Sequence, residues 1–97
     1  MSKRDEYVEK MKAQLDQWNA DVAKWEVKTR EARAEARAEY EKGLEAFRQQ
    51  RERAMPELRK VQTAAGDAWM ELARGADEAW ARMREAFDKA SSRFHQK

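Results

Sequence analysis

The side chains best suited to chemistry are a single histidine and a column of three glutamates. His95 is the only histidine of the 97-residue chain. Glu31, Glu35 and Glu39 recur every four residues, so a helix would place their carboxylates on one face. Helical di-metal sites need Glu-x-x-His motifs on two helices, and the sequence contains none. We therefore expect a solvated glutamate face, or one that meets basic residues of a neighbouring helix, and no metal.

Other kinds of catalytic and binding site lack their usual residues. The chain has no cysteine to serve as a nucleophile, thiolate ligand or disulfide partner, and no glycine-rich loop that could hold a phosphate. Charged residues make up 41% of the sequence, but the net charge is only +2 and the two signs alternate. No basic face indicates nucleic acid. We predict that the protein is not an enzyme and has no cofactor, and nucleic-acid binding ranks third among the functions considered.

The clearest pattern is an eleven-residue repeat between Gly66 and Phe94. Ala68-Trp69-x-x-Leu72 recurs as Ala79-Trp80-x-x-Met83 and again as Ala90-Ser91-x-x-Phe94. Eleven residues correspond to three helical turns with almost no drift, so these positions stay on one stripe of a helix. We call this set the aromatic stripe, and its members are Trp69, Leu72, Ala76, Trp80, Met83, Phe87, Ala90 and Phe94.

The first part of the chain has a coiled-coil pattern. Ser2 is suited to cap a helix N-terminus, and Asp5 follows three residues later. From there apolar positions step by three and four, as in a heptad repeat. They are Val8, Met11, Leu15, Trp18, Val22, Trp25, Thr29, Ala32 and Ala36.

The steps lengthen to four between Ala32 and Leu44, which predicts a locally unwound supercoil and no break. Pro56 interrupts the hydrogen bonding of any helix that contains it, so we predict a kink there, with a new helix starting at Pro56 as the alternative. Gly66 followed by Asp67 is the strongest stop and start signal, with the glycine ending one helix and the aspartate capping the next.

These signals predict an all-α protein with one helical unit over residues 1–97. It contains a long coiled-coil helix over 2–65 with a kink at Pro56, a shorter amphipathic helix over 67–94, and a frayed tail over 95–97. Such a chain is expected to form a coiled coil or helical hairpin that assembles into a homo-oligomer. The predicted interface with itself or a partner consists of Trp18, Val22, Trp25, Trp69, Leu72, Trp80, Met83, Phe87 and Phe94.

Two arrangements compete for the surface of the first helix. In an antiparallel pair of chains, Trp18 would face Ala36 and Trp25 would face Thr29, so that large residues meet small ones. Asp21 would then lie beside Lys28, whereas a parallel pair brings like charges together. Alternatively, residues 67–94 fold back on the first helix of the same chain.

The aromatic stripe itself has three interpretations. It packs in the core of a hairpin or oligomer, it docks on another protein, or it adsorbs to a membrane surface. Acidic and basic residues are balanced over 67–97, which makes an anionic lipid surface a less favourable partner. Since the sequence has no cysteine, no apolar leader and no run long enough to cross a membrane, we expect a cytoplasmic protein.

Both ends of the sequence resemble a family of small bacterial coiled-coil stress-response proteins. The first end carries MSKRDEYVEKMK followed by Leu15, Trp18 and Asn19. The other carries GDAW over 66–69, Ala79-Trp80, EAFDKA over 85–90, and Arg93-Phe94. The resemblance implies a cytoplasmic, non-enzymatic helical protein linked to stress, and it supplies no catalytic residues.

The leading functional prediction is therefore a self-associating structural or interaction protein. The alternative is an amphipathic protein of membrane surfaces or of desiccation-type protection.

Overall fold

The structure is a computed structural model that describes residues 2–95, and within that range it is all-α with no strand. Helix α1 runs over Lys3–Glu31, α2 over Ala34–Thr63 and α3 over Trp69–Phe94, with a short 3-10 turn over Gly66–Ala68 before α3. The predicted fold class and hairpin are confirmed. Of the tail predicted over 95–97, His95 lies in a turn after α3, and residues 96 and 97 lie outside the described residues.

The three helices run up, down and up along a body of 52 × 20 × 17 Å. Tyr7 near the start of α1 contacts Asp77 near the start of α3, and Trp25 near the end of α1 stacks on Phe94 at the end of α3. Helices α1 and α3 are therefore parallel. Helix α2 runs antiparallel to both.

Helix α1 begins as predicted and ends much earlier than predicted. The Ser2 hydroxyl accepts a hydrogen bond from the Asp5 backbone N–H at 3.1 Å, which confirms the N-cap. The single long helix predicted over 2–65 is wrong, because Ala32 and Arg33 are extended, with ψ angles of 156° and 157°. We call these two residues the hinge.

Packing accounts for the hinge. A continuous helix would retain a few more backbone hydrogen bonds, each worth about 0.5–1.5 kcal/mol net. Turning back instead buries Trp18 and Trp25 within the same chain, and full burial of one large apolar side chain contributes about 1.5–3 kcal/mol. Several such residues outweigh the lost hydrogen bonds.

Helix α2 continues through Pro56, so the alternative of a new helix starting there is wrong. Pro56 is exposed, which leaves the carbonyl whose hydrogen bond it removes on the solvent side. On the opposite face, Ala54 and Leu58 are fully buried. Their packing holds the helix together across the proline.

A break lies at Gly66 as predicted, although α2 already ends at Thr63 with Ala64 as its C-cap. The cap predicted at Asp67 is wrong. Gly66 has a φ of +55°, the left-handed conformation that glycine adopts without steric strain. Asp67 lies inside the 3-10 turn, α3 starts two residues later, and the side chain at its N-cap position, Ala68, makes no capping hydrogen bond. The extra turn displaced the helix start beyond the aspartate.

The core forms in two different ways. The backbones of α2 and α3 lie close together, and small residues line their contact: a Cβ atom added at Gly43 would lie 3.2 Å from the Ala90 Cα. Helix α1 stands further off, and large rings fill the space between. Residues 2–95 thus form a tight α2–α3 hairpin with α1 laid against it.

Candidate functional site

The candidate site is the aromatic interface where α1 lies on the α2–α3 hairpin. Trp18 stacks on Phe87 with ring centroids 5.5 Å apart and meets the Phe47 ring edge-on at 6.2 Å. Trp25 lies between Phe87 at 5.0 Å and Phe94 at 5.1 Å. Aromatic pairs at these separations contribute about 0.5–1.5 kcal/mol each beyond their buried area. The rings therefore help to hold α1 in place.

All nine predicted interface residues lie at contacts within the chain itself. Six of them are buried, namely Trp18, Val22, Trp25, Trp80, Met83 and Phe94. The other three are half-buried against the same core, namely Trp69, Leu72 and Phe87. In this closed arrangement α1 covers the face that the sequence assigned to a partner, as in the intramolecular alternative.

The antiparallel register predicted between chains does not describe how α1 meets α2 here. Trp18 packs against Phe47 and not against Ala36. The Asn19 side-chain oxygen accepts a hydrogen bond of 2.7 Å from the Arg51 guanidinium. The hinge sets this register, since residues equally distant from it lie opposite each other.

Two basic side chains fasten the ends of α1 to the hairpin. The Arg4 guanidinium donates to the Ala64 carbonyl at 2.6 Å, just beyond the end of α2. The Lys28 ammonium donates at 3.3 Å to the carbonyl of Phe94, which is the last residue of α3. Carbonyls at helix C-termini lack partners within the helix and attract cations. Both contacts therefore favour the docked position of α1.

The half-buried side chain of Tyr7 joins α1 to the first half of α3 by hydrogen bonding. The Tyr7 hydroxyl lies 2.6 Å from an Asp77 carboxylate oxygen and 3.1 Å from the Ala73 carbonyl. Partial burial raises the pKa of the Tyr7 hydroxyl well above its ordinary value, and the hydrogen bond and charge of Asp77 raise it further. The phenol is therefore neutral and donates to the carboxylate at physiological pH.

The hinge carries its own contact. The Arg37 guanidinium, one turn into α2, donates to the Ala32 carbonyl at 3.1 Å and to the Arg30 carbonyl at 3.4 Å. Arg33, which occupies the N-cap position of α2, makes no side-chain capping bond. Arg37 is thus the side chain that stabilises the turned conformation locally.

The glutamate column makes ordinary surface contacts. Glu31 and Glu35 are exposed, and the Glu39 carboxylate lies 3.6 Å from both the Lys42 ammonium and the Arg93 guanidinium. Arg93 belongs to α3, so one member of the column meets a cation of a neighbouring helix. Over residues 2–95 no group of three or more acidic or histidine side chains is arranged to hold a metal ion.

A groove opens between α1 and α3, with a volume of about 480 Å³. Trp80 and Met11 provide its apolar lining, and the polar residues along it include Lys10, Gln14 and Arg84. The Trp80 indole N–H is buried and has no hydrogen-bond acceptor among residues 2–95.

Sequence reasoning missed several residues of this site. They are Arg4, which precedes the first heptad position, and Tyr7, Lys28 and Arg37, each of which stands next to one. Their roles depend on which helix lies next to them. Only Tyr7 gave a local signal, as an aromatic residue one position before the heptad residue Val8. The basic residues are too common in this sequence to stand out.

The outer surface of the bundle offers little apolar area. Among residues 2–95 the only large apolar side chains with high exposure are Val27 and Met70. None of the helices described is both long enough and apolar enough to cross a lipid bilayer.

Comparison with protein-family models, with curated proteins and with solved structures finds no match to this chain.

Proposed function

We propose that this protein is a non-enzymatic interaction protein that associates with itself by exchanging α1 between copies. The observation that carries the proposal is the hinge. Only Ala32 and Arg33 separate two helices of 29 and 30 residues, and neither residue is a helix breaker.

The sequence around the hinge favours helix. The segment EARAEARAEY contains chiefly alanine, glutamate and arginine, which are strong helix formers, and it has no glycine or proline. Local preference therefore opposes the turn, and the packing of α1 on the hairpin maintains it. A short connection under such opposition is the usual setting for domain swapping.

Exchange of α1 between two copies preserves its contacts with a hairpin. If the hinge straightens, α1 and α2 form one helix that spans roughly 90 Å at about 1.5 Å per residue. The α1 of one copy then lies on the hairpin of the other, with Trp18 against Phe47 and Trp25 against Phe94. Because each copy recovers the same aromatic and polar contacts, the equilibrium between the closed monomer and the exchanged dimer depends on the conformation of the hinge and on protein concentration.

The same hairpin face is the surface on which a different partner would act. A helix from another protein that carries tryptophans at the spacing of Trp18 and Trp25 would compete with α1. The resemblance of the two chain ends to stress-response proteins supports a role in the cytoplasmic stress response.

A proline at the hinge tests the proposal directly. Arg33 has a φ of −67°, which matches the fixed φ of proline, and the preceding Ala32 has the extended conformation that proline requires of its neighbour. Arg33→Pro therefore fits the turned conformation. It disfavours the straight helix by about 3 kcal/mol.

We expect light scattering of the wild-type chain to give a mass that rises above that of the monomer with concentration. Arg33→Pro should remain helical and monomeric. Arg33→Ala removes the same charge without restricting the backbone, so this control should associate at least as well as wild type. A wild-type chain that stays monomeric at all concentrations, or a proline variant that still associates, contradicts exchange.

Tryptophan emission that shifts to the blue on anionic vesicles would instead favour the membrane-surface or protective role.

A further inference from the structure

The groove between α1 and α3 lies in the stretch between two contacts that join these helices. At one end the Tyr7 hydroxyl bonds to Asp77, and at the other Trp18 stacks on Phe87. Between these bridges α3 presents the small side chain of Ala81. A small residue opposite a helix held at a distance by large rings leaves the space open.

The lining of the groove is apolar at depth. Trp80 is 4% exposed, and Met11 beside it is half-buried. A flat indole and a flexible, polarisable thioether adapt to apolar groups of varied shape. The volume of about 480 Å³ is within the range that holds a small molecule.

Among the charged side chains that line the groove, cations outnumber carboxylates. Lys10 of α1 and Arg84 of α3 make no ion pair within residues 2–95, and both are exposed at the groove. Asp77 is the one carboxylate in the lining, and it already accepts the Tyr7 hydroxyl. The two cations therefore favour an occupant that carries a negative charge.

From these features we propose that the groove binds a free amphipathic carboxylate, such as a medium-chain fatty acid. The apolar chain lies on Trp80 and Met11, and the carboxylate accepts hydrogen bonds from Lys10 and Arg84. Charge-assisted hydrogen bonds to a carboxylate are the stronger kind, and each of the two helices contributes one cation to the groove. In an exchanged dimer the walls are the same, because α1 of a second copy takes the same place. The proposal therefore does not rest on self-association.

Titration calorimetry with decanoate, kept below its micelle concentration, tests the site. Decanoate should bind and raise the melting temperature of the protein. Decyltrimethylammonium, which has the same chain and the opposite charge, should not bind, and acetate, which has the carboxylate alone, should not bind either. If the cationic amphiphile binds as well as decanoate, or if decanoate gives no binding at millimolar concentration, the proposal is wrong.

A matched pair of double variants locates the site. Lys10→Gln with Arg84→Gln should weaken decanoate binding about tenfold or more, since each change removes a charged donor to the carboxylate. Lys24→Gln with Arg74→Gln makes the same change in net charge at exposed positions away from the groove, and it should leave the affinity unchanged. All four side chains are exposed, so both variants should fold, which circular dichroism can verify. Equal affinities for the two double variants would overturn the assignment to this groove.

Discussion

The contact between α2 and α3 and the contact between α1 and the hairpin achieve burial by opposite means. Along the first, small residues allow two backbones to approach, and Gly43 against Ala90 leaves no room for a methyl group without adjustment. Along the second, Trp18 and Trp25 hold the backbones apart and fill the space with rings. The first contact is a close fit between neighbours joined by a glycine turn. The second contact depends on large side chains, and any helix that carries them at the same spacing can supply them.

Polar contacts fasten α1 at its edges. Arg4 and Lys28 each donate one hydrogen bond, and the Tyr7 hydroxyl lies within hydrogen-bonding distance of both Asp77 and Ala73. Each of these bonds is solvent-accessible at least in part and contributes little by itself. We therefore expect α1 to detach more readily than the two helices of the hairpin separate from each other.

The largest effect should come from the rings that hold α1. Trp25→Ala removes a side chain that is 7% exposed and stacked between two phenylalanines. The loss should be about 3–5 kcal/mol of unfolding free energy, measured by urea denaturation. Val27→Ala, on the exposed side of the same helix, should change stability by less than about 0.5 kcal/mol. If the two variants lose similar amounts, Trp25 does not anchor α1.

A glycine substitution separates the close fit of the hairpin from helix propensity. Gly43→Val must displace the Ala90 backbone, and overpacking of this kind typically destabilises by about 1–3 kcal/mol. At Gly75 an added Cβ would meet only the Glu57 carboxylate, at 2.9 Å, which a flexible side chain can move away. Gly75→Ala should therefore stabilise by up to about 1 kcal/mol through helix propensity. Stabilisation by Gly43→Val would show that the backbones are not in close contact.

The turn that joins α2 to α3 should respond to its glycine and not to its aspartate. Gly66→Ala forces a Cβ into a φ of +55° and should destabilise by about 1 kcal/mol. Asp67→Ala should have a smaller effect, because Asp67 does not cap α3 in the structure. Thermal melts show which variant loses more stability. A larger fall in melting temperature for Asp67→Ala than for Gly66→Ala would support the capping role predicted from the sequence.

The smallest effect should be a pH dependence at the edge of α1. The raised pKa of Tyr7 means that its contribution to stability is complete below the ordinary tyrosine pKa of about 10 and is lost as the pH rises above it. The stability difference between wild type and Tyr7→Phe should therefore shrink between about pH 8 and about pH 11, on either side of that value. Both proteins retain Tyr40 and the lysines, whose titration cancels in the comparison. A constant difference would mean that folding does not raise the pKa of the Tyr7 hydroxyl.

The sequence was informative about the buried faces of α1 and α3 and about one of the two connections. Heptad positions in α1 and the eleven-residue repeat in α3 identified the buried faces, because helical periodicity is a local property. Gly66 marked its turn because a left-handed residue favours glycine. The hinge left no such mark: Ala32 and Arg33 are good helix formers, and only contacts of Trp18 and Trp25 with distant residues make them turn.

The candidate site shows the same limit. All nine interface residues were identified as apolar contacts, but whether their partner was another chain or the same chain depended on the hinge. The groove was outside the reach of the sequence altogether, since Lys10 and Arg84 are neighbours only through the packing of α1 on α3.

Native-state hydrogen exchange tests the central claim most directly, because it measures the free energy of opening for each helix separately. We predict that amides of α1 around Trp18 and Val22 exchange through an opening of lower free energy than amides of the hairpin around Leu58 and Met83. In Trp25→Ala this gap should widen, because the protection of α1 should be lost while that of the hairpin persists. Equal protection of α1 and the hairpin, falling together in the variant, would mean that the bundle opens as one unit and would contradict the account.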